Sequence, residues 1–255
     1  MQEPEQLLAM GRIVQPFEAA GNAAGDQIQV NNITPKEQRY SSVATNANGE
    51  FVVSWASKDL NSGKYDIHVR RFDANGIARD AGDITVNSIT DEQQLAPDVA
   101  LDAAGNFVVA WQSKDLDYPD GDFGIYQRAF DADGTAVTAK QQLVNTRVTD
   151  HQSAASIAMS RDGSYVISWQ SEKQDDPDNK FGVYAQRFAA DGSPIGNEFR
   201  ANSTTGDQQR APAVAADRLP RATAFRKYCS RDSVGEPMCT SIPTTRIPGR
   251  AAAMA

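Results

Sequence analysis

Asn106-Phe107-Val108-Val109-Ala110-Trp111-Gln112-Ser113 is the stretch from which the fold of this 255-residue chain can be read. Close variants stand at 50–57 around Trp55 and at 164–171 around Trp169. These are the chain's three tryptophans, 56 and 58 residues apart, so the sequence is a repeat array before it is anything else. On a strand, Phe107, Val109 and Trp111 share one face while Val108, Ala110 and Gln112 share the other. A bulky face opposite a shallow one is what stacked sheets need, because the large side chains of one fill the hollows of the next. Trp55, Trp111 and Trp169 are therefore read as buried core, together with Phe72, Phe130 and Phe188.

Other positions keep the same step. Asn31, Asn87, Asn145 and Asn202 recur, as do Gln38, Gln94, Gln152 and Gln209. Phe72-Asp-Ala-Asn-Gly76, Phe130-Asp-Ala-Asp-Gly134 and Phe188-Ala-Ala-Asp-Gly192 mark a second fixed point, which Phe17-Glu-Ala-Ala-Gly21 anticipates. The resulting division is a partial repeat at 1–28, full units at 29–84, 85–143 and 144–199, a partial fourth at 200–217 and a divergent tail at 218–255. Each unit holds four short apolar bursts separated by Gly, Asp and Asn, which suits strands rather than helices. Glycines such as Gly49, Gly105 and Gly163 sit where a tight hairpin needs positive φ. The predicted fold is all-β: a propeller-like array of four-stranded antiparallel units, incomplete or open, since three whole units are fewer than most propellers close with. The N-terminal half unit could supply the last two strands of a blade begun at 212–217.

The formal charge of −8 argues against nucleic acid or an anionic membrane as partner. No apolar run is long enough for a membrane span, and the first residues do not read as a signal peptide. Cys229 and Cys239 both fall in the tail, so the repeats are not a disulfide scaffold. The tail holds seven Lys/Arg against Asp232 and Glu236, a net of +5, whereas residues 1–217 carry 18 basic and 31 acidic side chains, −13. With its scattered prolines and no strand pattern, the tail is expected to be disordered.

The sharpest chemical feature is the acidic connection after the tryptophan strand. Asp115, Asp117, Asp120 and Asp122, then Asp175, Asp176 and Asp178, supply the hard oxygen ligands that Ca²⁺ takes. Calcium is the cofactor this composition allows; the spacing is not that of an EF-hand, and solvated acidic loops are the plainer reading. The recurring Asn and Gln are expected to satisfy backbone groups between units rather than to bind sugar. Arg70, Arg128 and Arg187 lie near the ends of the third bursts, either as a carboxylate-binding cluster or as ordinary surface residues with buried stems. His68 and His151 occupy unrelated positions in their units and read as isolated surface histidines. No motif identifies a catalytic residue.

Thr204-Thr-Gly-Asp-Gln-Gln209, Phe107-Val-Val-Ala-Trp-Gln-Ser113 and Phe181-Gly-Val-Tyr-Ala-Gln-Arg-Phe188 resemble tandem repeats of long bacterial secreted and surface proteins. That resemblance, over about 12–217, implies propeller-type β modules beside calcium-binding or adhesion modules, with no assigned catalytic residues. Ser160-Arg-Asp162-Gly163 is a partial likeness to the short turn element of sialidase-type propellers. The functional expectation is a non-catalytic structural or interaction module of an extracellular or cell-surface protein, with a protein or glycan partner, working as an oligomer or as part of a longer array. The alternative is a glycan-binding or glycan-hydrolysing propeller, recognisable by one asymmetric pocket where a module would present near-equivalent loops.

Overall fold

The computed structural model describes residues 12–17, 22–23, 25–32, 36–114, 122–174, 181–203 and 208–216 in full, and the backbone of 225–231 and 237–240. Among these, every regular element is a strand. The N-terminal half unit gives β1 (Ile13–Val14) and β2 (Ile28–Gln29), paired antiparallel. The first full unit is β3 (Gln38–Thr45), β4 (Phe51–Lys58), β5 (Tyr65–Phe72) and β6 (Ile84–Thr85). The second is β7 (Gln94–Leu101), β8 (Phe107–Ser113), β9 (Gly124–Phe130) and β10 (Gln142–Leu143). The third is β11 (Gln152–Met159), β12 (Tyr165–Glu172), β13 (Phe181–Phe188) and β14 (Pro194–Arg200). Each is a four-stranded antiparallel meander in chain order. No described helix is long and apolar enough to cross a membrane.

A fourth sheet begins with β15 (Arg210–Ala216), and the tail completes it: β16 (Phe225–Arg231) pairs with β15, and β17 (Pro237–Thr240) with β16. Strand pairing therefore runs into a segment whose sequence carries no strand pattern; the rest of the tail, and the expectation of disorder for it, lies outside the described residues. The suggested ring closure is not formed among the described residues. β15 takes its partners from the tail, and β1 pairs only with β2.

Strands β3, β7, β11 and β15 lie side by side as the inner strands of successive units. All four carry a bulge at the same place, and inside it a residue in the left-handed region: Tyr40, Ala96, Ala154 and Ala211, with φ of 54°, 49°, 55° and 54°. A non-glycine residue pays for this conformation in steric strain, so its fourfold recurrence makes the bulge a property of the repeat. It bends the inner strand and re-aims the side chains beyond it. Asp98, two residues past its bulge, accepts from Ser42 Oγ at 2.5 Å and from Ile157 N at 2.9 Å, tying three inner strands together. Gln112 and Gln170, which follow the tryptophans, accept from Ala154 N (3.3 Å) and Ala211 N (3.0 Å) in the next unit.

The two faces of the tryptophan strand divide as the alternation demands. Phe107, Val109 and Trp111 pack against Val52 and Ala56 of the preceding unit, while Val108 and Ala110 receive Tyr165, Ile167 and Trp169 of the following one. The half unit serves Trp55 likewise, through Val14, Ile28 and Val30. All three tryptophans are 0% exposed, so none forms a platform. Trp111 Nε1 donates to Gln94 Oε1 at 2.8 Å. Across each β-strand pair Phe51 stacks on Phe72, Phe107 on Phe130 and Tyr165 on Phe188.

The recurring asparagines close the outer edge. Asn87, Asn145 and Asn202 accept the backbone N–H of Ile67, Ile125 and Val183, each at 2.7 Å. The residue after the asparagine at 31, 87 and 145 reaches from the sheet it leaves to the outer edge of the next: Asn32 N donates to Asp83, Ser88 N to Gln141 and Thr146 N to Glu198. At the opposite end, Gly49, Gly105 and Gly163 allow the first turn of each unit to meet Ala74, Ala132 and Ala190 of the second. A Cβ on any of them would sit 2.9–3.3 Å from the alanine methyl.

Candidate functional site

Because the units repeat, a site is most easily seen where they stop being equivalent. At the end of the array where the inner strands begin, the residue before each recurring glutamine is Glu37, Gln93, His151 or Gln208, and the third strands begin next to Tyr65, Phe123 or Phe181. In the first unit these positions form a self-contained charge network. Tyr65 bonds Glu37, holding that carboxyl below its usual range, and burial together with Glu37 pushes the phenol up to about 12. Glu37 also accepts from Arg39 Nε at 2.6 Å and lies 3.6 Å from Lys58 Nζ, and both cations sit over the Tyr65 ring.

Around the third unit the same positions are built differently. His151 Nδ1 lies 2.7 Å from Asp122 Oδ1, with side chains 29% and 35% exposed. The carboxylate partner assigns the proton to Nδ1 and leaves Nε2 as the acceptor nitrogen. The imidazole is edge-on to Phe123 at 5.3 Å and to Phe181 at 6.5 Å. Arg210 stacks on the Phe181 ring at 4.3 Å, its Nε donating to Gln208 Oε1 at 2.5 Å. An oriented imidazole, two aromatic rings and an exposed guanidinium thus share one rim. Such a set can exchange a proton, flank a sugar ring and bind an oxyanion.

The expectation of two isolated surface histidines is corrected on both counts. His151 is paired with Asp122, and His68 is half-buried against Trp55 at 6.0 Å, where desolvation holds its pKa down to about 4. Position within the repeat is the signal that finds the pair: Asp122 precedes the aromatic of one unit and His151 the glutamine of the next. Of the seven calcium-ligand candidates, Asp115, Asp117, Asp120, Asp175, Asp176 and Asp178 lie outside the described residues; Asp122 is engaged by His151. Among the described residues no group of three or more His, Cys, Asp or Glu could hold a metal ion.

The three arginines do not converge. Arg70 Nη1 donates to Val30 O and Arg128 Nη1 to Val86 O, each at 2.7 Å, so each pins a third strand to the preceding unit. Arg187 is one residue out of step and points to the other face of its strand; the true counterpart of Arg70 and Arg128 is Gln186. Its Nε2 donates within its own unit, to Arg187 O and Gly196 O. Beside it, between the second and third units, lies a cleft of about 600 Å³. The counterpart of Arg71 differs as well. Arg71 forms a buried ion pair with Asp80 (2.5 Å) and donates to Ala132 O in the next unit, but Ala129 stands at its place in the second unit, beside a cavity of about 240 Å³.

No protein-family model matches the sequence, and no curated protein sequence matches it. Solved structures do match in fold. A Hadza microbial sialidase superposes with a TM-score of 0.54 at 15% identity over 80% of this chain and 44% of its own. The endo-arabinase of Bacteroides thetaiotaomicron gives 0.53 at 16% over 87% and 81%. An ulvan lyase of polysaccharide lyase family PL25 gives 0.58 at 8% over 91% and 59%. The chain thus spans less than half of the sialidase and most of the arabinase. These findings overturn the expectation of a structural or interaction module without chemistry of its own. The architecture from which it was drawn is shared by proteins that degrade glycans, and the loops are not near-equivalent, since the Asp–His pair and the open cleft each occur at one inter-unit position among the described residues. In fold, the chain is an all-β, propeller-like array of four-stranded antiparallel sheets.

Proposed function

We propose that this protein degrades glycans, with the rim bearing Asp122, Phe123, His151, Phe181 and Arg210 as its working surface. The observation that carries the reading is the 2.7 Å contact between Asp122 and His151, which fixes one imidazole nitrogen and presents the other. In this reading Asp122 keeps the ring in one tautomer and stabilises the imidazolium formed when His151 takes a proton. Phe123 and Phe181 confine the sugar, and Arg210, braced by Gln208 and stacked on Phe181, meets a carboxylate or hydroxyl of the substrate. The fold likeness to a sialidase, an arabinase and an ulvan lyase supports the same reading. A polymeric glycan as substrate would place the working protein outside the cell.

The test is depolymerisation of arabinan, sialylated glycan and ulvan by the purified protein, followed by release of new chain ends. His151→Gln is expected to lower the rate on the active substrate by about a hundredfold or more with an unchanged melting temperature. Failure of the wild-type protein on all three, or full activity in both His151→Gln and Asp122→Asn, would remove the reading.

A further inference from the structure

The cleft between the second and third units asks for an explanation that the rim does not supply, because it lies along the outer strands. In the two preceding inter-unit positions the corresponding space is bridged by a guanidinium: Arg70 reaches Val30 O, and Arg128 reaches Val86 O, Thr138 O and Ala139 O. Between the second and third units Gln186 stands in the place of that arginine. Gln186 turns back on its own strand, and the space stands open at about 600 Å³, within the range of small-molecule sites.

The lining fixes the chemistry. Gln127, Gln142, Asn145 and Gln186 bring amide groups, three of them on residues less than 5% exposed. Tyr165 Oη donates to Gln127 Oε1 at 2.7 Å, and Asn145 is held by Ile125 N and Arg147 O, so these two amides are set in place before any ligand arrives. Among the described residues no cationic side chain lines the cleft. Its single carboxylate, Glu198, already accepts from Thr146 N (2.7 Å), Thr146 Oγ1 (3.0 Å) and Gln174 Nε2 (2.8 Å). Fixed neutral donors and acceptors without a counter-charge suit a polyhydroxyl ligand and disfavour a uronate or sialate, whose carboxylate would be desolvated unpaired.

We infer that this cleft is a second carbohydrate site, taking a short neutral oligosaccharide apart from the rim. The inference rests on the glycan-degrading reading, and its test separates the two. Isothermal titration with arabinotriose, xylotriose and cellotriose, and with trigalacturonate as the charged counterpart, is run on the full chain. One of the neutral trisaccharides binds, and trigalacturonate does not compete. Gln186→Arg restores the side chain that the other two positions use, so it fills the cleft in the manner of the protein's own repeat. It weakens trisaccharide binding at least about tenfold, while turnover at the rim and the effect of His151→Gln are unchanged. Asn197→Trp, at an exposed lining position, gives the same loss should Gln186→Arg fail to fold. Unchanged binding in a folded Gln186→Arg, or no binding of any neutral trisaccharide by a protein that still turns over polysaccharide, overturns the cleft alone. Absence of both binding and turnover overturns the cleft and the glycan reading together.

Discussion

The junction between the first and second units and the junction between the second and third are made from the same repeat, yet one is sealed and the other is open. At the first, Arg128 spans the outer edge and Arg71 is buried with Asp80 against Ala132 O. At the second, Gln186 and Ala129 stand in their places, with a cleft of about 600 Å³ and a cavity of about 240 Å³ beside them. The tryptophan strand is equally buried on both sides. The asymmetry of this array lies in which residues stand at the edges of a junction, Gln186 and Ala129 against Arg128 and Arg71, while its centre is the same, so space stands open without dismantling the core.

Three further perturbations break or sharpen that contrast. The largest is at the centre: Trp111→Ala is expected to cost about 3–5 kcal/mol in urea denaturation. Trp169→Ala should cost about 1 kcal/mol less, because Trp111 donates to Gln94 whereas the buried Trp169 Nε1 has no such partner. Equal losses would show that the indole bond does not distinguish the junctions. Next comes the sealed edge, where Arg71→Ala leaves Asp80 buried at 7% exposure without its cation. A loss of about 3 kcal/mol is expected, against less than about 0.5 kcal/mol for Ala129→Ser at the matching site. A small effect of Arg71→Ala in the same melt would mean that the ion pair is not what seals the junction.

The smallest concerns pH. Opposite the tryptophans stand His68, Tyr126 and Tyr184, so one unit titrates where the others do not. Burial holds the His68 pKa down to about 4, below the ordinary histidine value of 6.5. Between those two values the unfolded chain binds the proton and the folded chain does not. Stability from this site is therefore full above about 6.5 and lost as pH falls toward about 4. His68→Tyr should flatten melting temperature against pH across that window; an unaltered slope would assign it to other groups.

Much of the fold was legible because strand periodicity and turn glycines act locally. The alternation around Trp111 gave the strand, the split between its two faces and the packing order of the sheets. The repeated asparagines followed from the need to satisfy edge backbone, and Asn87, Asn145 and Asn202 meet it in one geometry. The site was harder. Asp122 and His151 are separated by a strand and a turn, and each alone looks ordinary; they meet only because one unit's third strand starts beside the next unit's inner strand. Arg187 misled for a related reason, since a shift of one residue along a strand reverses the face and leaves composition untouched. The strands β16 and β17 could not be foreseen either, as their sequence lacks the alternation that one solvated face would impose.

Val43 occupies the position that Val99 and Ile157 hold in the next two units, but it is 56% exposed where they are 4% and 6%. In an array held together by nearest neighbours, that difference gives the molecule a grain. Among the described residues the first inner strand has an inner-strand companion on one side only, so opening by heat is expected to reach it early and travel inward, as fraying runs from the loose end of a rope. The His68 titration lies in that same outer unit, whereas the imidazole of the rim stands two inner strands away.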